Sequence, residues 1–228
     1  MLHRGNIGGE STIHVITNAN RHLYDAELLA HFRLRHEIYV VERKWQELAR
    51  PDGCERDQFD DQNATYVLAI DKDEVVGGSR LIPTTSPHLL SEVFLHLTSV
   101  RGLPRAADIY EWTRMFVIKS RREGRTMGEQ TRGMVICGVL EHCLDNGVTS
   151  LTALIEMFWM PLFHAMGWKL IPLGLPELIS GEWSVAVKMP IDESVLESTR
   201  AFHGVSGRAL VTLQARLGRG NPRVRRAR

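Results

Sequence analysis

The chain has 228 residues, 43% of them hydrophobic and 24% charged, with a net charge of +1. That length buries a sizeable core in one large or two small domains and excludes disorder over most of the chain. The charge is unevenly placed: residues 216–228 hold six arginines and no acid, and the remaining 22 basic and 27 acidic residues make a body unsuited to coating nucleic acid.

β-branched residues alternate at 13–17 and predict a first strand, after which Asn18 and Asn20 can cap a helix carrying Leu28, Leu29, Phe32 and Ile38. Residues 42–63 (ERKWQELARPDGCERDQFDDQN) are polar, acidic and broken by Pro51-Asp52-Gly53, so they read as a loop. A loop longer than about 15 residues is usually functional or mobile. The apolar runs 64–70 and 75–82 flank Asp71-Lys72-Asp73-Glu74 as a hairpin, and 88–97 reads as a short helix or turn. Residues 109–118 (IYEWTRMFVI) are apolar on both faces and predict a central strand. A long helix follows over 127–146 and ends at Asn146-Gly147. Strands are expected at 151–155, 168–173 and 183–189, with helices at 159–166 and 192–202. This order predicts an α/β fold, a single mixed sheet with helices on both faces, in which the strands near 112 and 153 run parallel. One domain is expected over 1–203, followed by a basic tail, 204–228.

No stretch approaches the ~20 apolar residues of a membrane helix, and the N-terminal MLHRGNIGGEST, lacking an apolar core, is not expected to act as a secretory signal. Cys54, Cys137 and Cys143 form no CxxC pair, which favours a reduced, cytoplasmic protein. Ten scattered histidines without an HExxH motif give no metal-ligand pattern, and neither a Walker motif nor a GxSxG elbow is present.

Glu111 and Arg114 break the apolar pattern of 109–118. Strict alternation puts Glu111 with Ile109, Met115 and Val117 on one face, and Arg114 with Trp112 and Phe116 on the other. An unpaired buried charge costs several kcal/mol, so both need partners or a wet cleft, as does Arg80 between Gly78 and Ile82. The acidic loop offers Asp57, Asp60 and Asp61, and Arg35 beside Tyr39 could join them. The plain alternative is an ionic network that only holds the fold. Trp45, an indole in a polar loop, reads either as a staple for that loop or as a lid over a flat or cationic ligand.

The set Arg35-x3-Tyr39-x5-Trp45, Asp57-x2-Asp60, Arg80, Phe94, Glu111 and Arg114, together with the strings RHEIYVVERKW, GGSRLIPTT, LLSEVF and YEWTRMFV, resembles the acyl-homoserine lactone synthases, the Lux-type autoinducer synthases of bacterial quorum sensing. The resemblance spans residues 12 to 190 or so; Tyr39 departs from it, since the family usually has Phe there. It implies a fold related to the Gcn5-type N-acetyltransferases, with a cleft where two parallel strands splay apart. It also implies acylation of the amine of S-adenosylmethionine by an acyl thioester, then lactonisation with release of methylthioadenosine, without a metal or other cofactor. Under the resemblance Arg35, Tyr39, Trp45, Asp57, Phe94 and Arg114 bind S-adenosylmethionine. Glu111, Asp60 and Arg80 are catalytic, with Glu111 accepting the amine proton directly or through water; the rival is a backbone carbonyl or bulk water, with Glu111 purely electrostatic. An arginine such as Arg35 or Arg114 holds the substrate carboxylate or braces the acids.

The acyl pocket is expected from Thr113, Met115, Ile155, Phe158 and Trp159. Ile155 stands where relatives that favour 3-oxo chains tend to carry Thr, which points to a short, branched or aromatic acyl group without a 3-oxo. The string MFWMPLFHAMGWKLIPLGLP resembles a subgroup that uses acyl-coenzyme A rather than acyl carrier protein. Arg121, Arg122 and Arg125, leading into a helix, are candidates for the donor phosphates, although the same basic loop could dock an acidic carrier. Two rivals are a general N-acyltransferase, which would leave Trp45 and the acidic loop without a role, and a nucleic-acid-binding regulator working through the tail. The tail has no aromatic residue, so nucleic acid is the less expected partner.

Overall fold

The computed structural model describes residues 11–123 and 125–211, and the side chains of all of these except 123 and 125–127. The β-branched runs become strands. β1 (Thr12–Ile16), β2 (Thr65–Asp71), β3 (Glu74–Pro83) and β4 (Ile109–Val117) pair antiparallel in succession. Lys72 and Asp73, both at positive φ (49° and 70°), turn β2 into β3 as a two-residue hairpin requires. Side-chain alternation in β2 feeds both faces: Val67 and Ala69 pack with the long helix α4 (Arg125–Asp145), whereas Tyr66, Leu68 and Ile70 pack with Leu28 and Phe32 of α1 (Asp25–Arg35). Helices therefore cover both faces of one mixed sheet, as expected.

The first helix does not run regularly to Ile38. After Arg35 it widens into a π-helical stretch, His36–Glu42, and the loop beyond contains only one 3-10 turn, Gln46–Leu48. Between β3 and β4 the chain forms α2 (Leu89–Glu92) and a 3-10 turn, Leu95–Thr98. After β4 come α3 (Lys119–Glu123) and α4, then β5 (Ser150–Glu156), a 3-10 turn at Met157–Trp159 and α5 (Met160–Ala165). Of the strand expected over 168–173 only β6 (Ile171–Pro172) forms, because Trp168 at its expected start turns into the core against Trp112 and Phe163. Sequence reading missed β7 (Glu177–Ile179), which folds onto β8 (Glu182–Pro190) across Ser180-Gly181; α6 (Glu193–His203) follows, capped by Asp192.

Two irregularities position the site. β4 and β5 pair in parallel only at Ile109–Ser150, Tyr110–Leu151 and Glu111–Thr152, and then diverge. The sheet thus opens at its centre, with β8 antiparallel on the far side of β5 and β6 beyond it. β4 also carries a bulge: Gly78 faces Phe116 but Arg80 faces Thr113, so β4 has one extra residue here, and Arg114 sits at φ 55°. The bulge overturns the strict alternation expected for this strand. Trp112 packs with Phe163 and Trp168 on the α4 face, whereas Phe116 joins Ile38 and Tyr39 on the α1 face.

The body also runs past the expected boundary at 203. Val205 and Ala209 are buried in the main core, and Val211 donates its N–H to Ile13 O at 2.9 Å. Glu141, itself buried, accepts the N–H groups of Ala209 and Leu210. The six arginines of 216–228 lie outside the described residues.

The segment carrying α2 is held onto the sheet where Gly174 meets Leu97. A Cβ on Gly174 would lie 2.1 Å from Leu97 O, a backbone atom that cannot swing aside. Gly174→Ala is expected to destabilise the protein by about 1–3 kcal/mol, the usual scale of overpacking, as read by urea denaturation.

Candidate active site

Three arginines and three carboxylates meet on the α1 face of the sheet. Arg35 ends α1, Arg80 lies in β3 and Arg114 occupies the bulge of β4; the loop after the π-helical stretch supplies Glu55, Asp57 and Asp60. Arg35 binds Asp60 through both terminal nitrogens (2.7 and 2.9 Å) and Glu55 through Nε. Arg80 binds Asp57 in the same bidentate way (2.6 and 3.0 Å), approaches Asp60 at 2.9 Å and donates from Nε to Thr113 Oγ1 at 3.1 Å. Arg114 grips Glu55 with two bonds of 3.1 Å and reaches Asp57 at 3.1 Å. The loop is shaped to present these acids: Asp60 accepts the Asp57 N–H at 2.9 Å, Asp57 accepts that of Phe59 at 2.9 Å, and the Tyr66 hydroxyl donates to Asp60 at 3.0 Å.

Arg35 and Arg80 are fully buried, while Arg114 (9% exposed) and Asp57 (14%) lie nearest solvent. Burial alone would drive these carboxyls toward the neutral form, but the arginines outweigh it. Arg114 and Arg35 hold Glu55 down to about 2, and Arg80 and Arg35 keep Asp60 well below the usual carboxylate range. Beside them His31 is fully buried, and burial together with Arg35 keeps it neutral.

Sequence reasoning found five of the six charges and missed Glu55. Its neighbours Asp52 and Arg56 are exposed and pair with each other, so nothing in the string CERD marks Glu55 as the buried one. Asp61, expected in the network, instead accepts the N–H of Asn63 at 2.7 Å in the turn before β2.

Glu111 stands at the last position where β4 pairs with β5, at the point of divergence. It is fully buried and accepts the N–H groups of Leu89 (2.9 Å) and Leu90 (2.7 Å). No lysine or arginine is within ion-pair distance of it among the described residues, and burial raises its pKa against the opposing pull of those N–H groups and of His88. Phe94 is half-buried with Leu90 and Leu97 on the same segment. Trp45 stacks on Tyr39 (5.4 Å between centroids, 14° between planes), and the extra Tyr39 hydroxyl finds its partner in Met115 O at 3.1 Å.

On the α4 face Ile155 is buried beside Trp112, Phe163 and Trp168, and Met115 and Trp159 pack against the same cluster. Phe158 is 55% exposed, and the Thr113 hydroxyl is engaged by Arg80, so neither lines that cluster. The expected basic loop is helix α3. Arg121 is paired with Asp71 and Arg122 with Glu42, so both would have to exchange partners to take a phosphate. The side chain of Arg125 lies outside those described. Among the described residues no group of three His, Cys, Asp or Glu could hold a metal ion, and no helix is long and apolar enough to cross a membrane.

The open sheet whose central parallel pair parts after three residues is a fold shared with acyl-group transferases of known structure. An acyl-CoA N-acyltransferase from Pseudomonas aeruginosa shares that fold with a TM-score of 0.52 at 16% identity, over 78% of this chain and 99% of that one. The chain belongs to the autoinducer synthase family, whose model matches residues 19–199. It is 45% identical over 185 residues to the isovaleryl-homoserine lactone synthase of Bradyrhizobium diazoefficiens, covering 81% of this chain and 82% of that protein. The solved structure of a CoA-dependent acyl-homoserine lactone synthase, BjaI, with SAM and isopentyl-CoA superposes with a TM-score of 0.81 at 41% identity, over 92% of this chain and all of that one.

Glu55→Gln leaves Arg35 and Arg114 short of a counter-charge in a buried site and is expected to cost about 3–5 kcal/mol at neutral pH. Because the folded pKa of Glu55 lies below its unfolded value, its contribution is present above about 4.5 and lost as the pH falls toward about 2. Denaturant titrations across that window are expected to show a shallower acid loss in the variant than in the parent.

Proposed function

We propose that the protein makes an N-acyl-homoserine lactone from S-adenosylmethionine and a short branched acyl-CoA, with the isovaleryl donor first in order. The observation that carries this is the 45% identity to an isovaleryl-homoserine lactone synthase across a body with an opened central sheet. Ile155 supports the donor class: an apolar side chain in the buried cluster offers no hydroxyl to a 3-oxo group.

The chain's own groups divide the work. The methionyl amine attacks the thioester carbonyl; a C–N bond forms, the C–S bond breaks and the thiol leaves with a proton. Glu111 takes the amine proton through a water at the divergence of β4 and β5. Its raised pKa suits that task, since a base works best with a pKa nearer the operating pH. N–H groups of β4 beyond Glu111, no longer paired with β5, are the donors for the thioester oxyanion. Arg35 and Arg80 are enclosed and brace Asp60 and Asp57, which leaves the more exposed Arg114 to hold the substrate carboxylate.

Trp45, Tyr39 and Phe94 supply aromatic surface for the sulfonium and adenosine, and Asp57 the nearest negative charge. The methionyl carboxylate of the substrate then attacks its own γ-carbon; a C–O bond forms and the C–S⁺ bond breaks, so methylthioadenosine leaves neutral. The ring closure is intramolecular, and holding one bent conformer supplies much of the acceleration. Met115 and Trp159 flank the acyl side, with Phe158 at its rim and Thr113 held by Arg80 on the other face, and Arg121, Arg122 and Arg125 are the candidates for the donor phosphates. No resident cofactor is invoked, residues 216–228 contribute no group to the chemistry, and the buried, unpaired cysteines Cys54, Cys137 and Cys143 fit a reducing, cytoplasmic setting.

Incubation with S-adenosylmethionine and isovaleryl-CoA is expected to release isovaleryl-homoserine lactone and methylthioadenosine together, as read by mass spectrometry. A matched acyl carrier donor should turn over more slowly; a preference of about 100-fold for the carrier would reverse the donor assignment. Glu111→Gln is expected to lower kcat by about 100-fold, the usual contribution of a positioned base, with a smaller change in KM.

A further inference from the structure

β4 and β5 part after Glu111 and Thr152, so along the rest of their length no strand pairing joins the two walls of the opening. At the far end of β5 one side chain does. Glu156 takes the guanidinium of Arg43 in a two-point pair, with Arg43 Nη2 at 3.2 Å from Oε2, and the same Oε2 accepts the indole N–H of Trp159 at 3.0 Å. Arg43 belongs to the N-terminal wall, 113 residues away in sequence. Its Cζ lies 5.1 Å above the ring of Trp45, which stacks in turn on Tyr39; on the other side Trp159 lies 5.4 Å under Arg132 of α4. Lys44 at φ 64° turns the backbone sharply between Arg43 and Trp45, and the Trp45 N–H returns to Tyr39 O at 2.9 Å. A chain of aromatic rings and cations therefore crosses the opening, and a single carboxylate joins its two halves.

We propose that Glu156 is a positioning residue that couples the two substrate walls, fixing Arg43 and Trp45 on the S-adenosylmethionine side and Trp159 on the acyl side. The proposal rests on the functional reading above, in which those two tryptophans face the two substrates. Arg43 is 34% exposed, so water can take the place of Glu156 at its guanidinium and loss of the pair costs little global stability. Its effect lies in geometry: Glu156 sets where two large rings stand relative to each other across a gap that no strand pairing closes. Loss of the carboxylate frees both rings, whereas loss of its charge alone frees only one. In Glu156→Gln the amide oxygen can still accept from Trp159, but the amide NH₂ meets the donors of Arg43 and cannot pair with them.

The test is steady-state kinetics with S-adenosylmethionine and isovaleryl-CoA on the parent, E156A, E156Q and Arg43→Met, alongside thermal melts of each. In E156A the KM for both substrates is expected to rise about tenfold, a typical coupling between sites. In E156Q and Arg43→Met only the KM for S-adenosylmethionine should rise, and all three variants should melt within a few degrees of the parent. KM values within twofold of the parent in E156A would overturn the proposal, and so would equal rises for both substrates in E156Q. A fall in kcat that tracks a large loss of melting temperature would assign Glu156 a purely structural role. Failure of the parent itself to release methylthioadenosine from this pair of substrates would overturn the functional reading first and the coupling with it.

Discussion

The structure turns on the cancellation of six charges in a place with almost no water. Each of Arg35, Arg80 and Glu55 would be costly alone at its depth, and each is tolerable because Asp57, Asp60 and Arg114 complete the set. The arrangement also does what an apolar core would otherwise do. The loop carrying the acids buries only Cys54 and Phe59 as hydrophobic residues between Gly53 and Asn63, so it is ion pairing that ties it to α1, β3 and β4. The site and the anchoring of its loop are therefore one object. Removing any member exposes its partners to the full desolvation penalty.

The second constraint is the divergence of β4 and β5. Parallel pairing for three residues and no more leaves an opening lined by unpaired backbone and by side chains from both walls. Glu111 sits where the pairing ends, buried and held by two N–H groups of the α2 segment. The bulge at Arg114 makes this geometry possible. By inserting one residue into β4 it lets Arg114 share the α1 face with Arg80 and Phe116, while Trp112 stays in the core beneath with Trp168. The price is a left-handed backbone at an arginine, a conformation that its ion pairs to Glu55 and Asp57 hold in place.

Much of this was legible in the residues. Arginines at 80 and 114 inside apolar strands had to have partners, and the acidic loop was the obvious source. The hairpin at 72–73, the central strand at 109–117, the parallel crossover through the long helix and helices on both faces all follow from periodicity and turn chemistry. Glu55 was not legible, because its burial depends on which side of the loop meets the sheet. The pairing of Arg121 with Asp71 and of Arg122 with Glu42 was hidden for the same reason: the partners are 50 and 80 residues apart.

The sequence by itself determined the layered α/β architecture and the kinds of residue at the site, because alternation, capping and unpaired charge in an apolar strand are local signals; the family came from the resemblance of its motifs to known synthases. Only the tertiary structure decided the bulge at Arg114, the burial of Glu55, the engagement of Glu111 by α2 and the bridge from Arg43 through Glu156 to Trp159. Each of these depends on register or on contacts between segments far apart in the chain. Neither can be read from a pattern that repeats every two or every 3.6 residues.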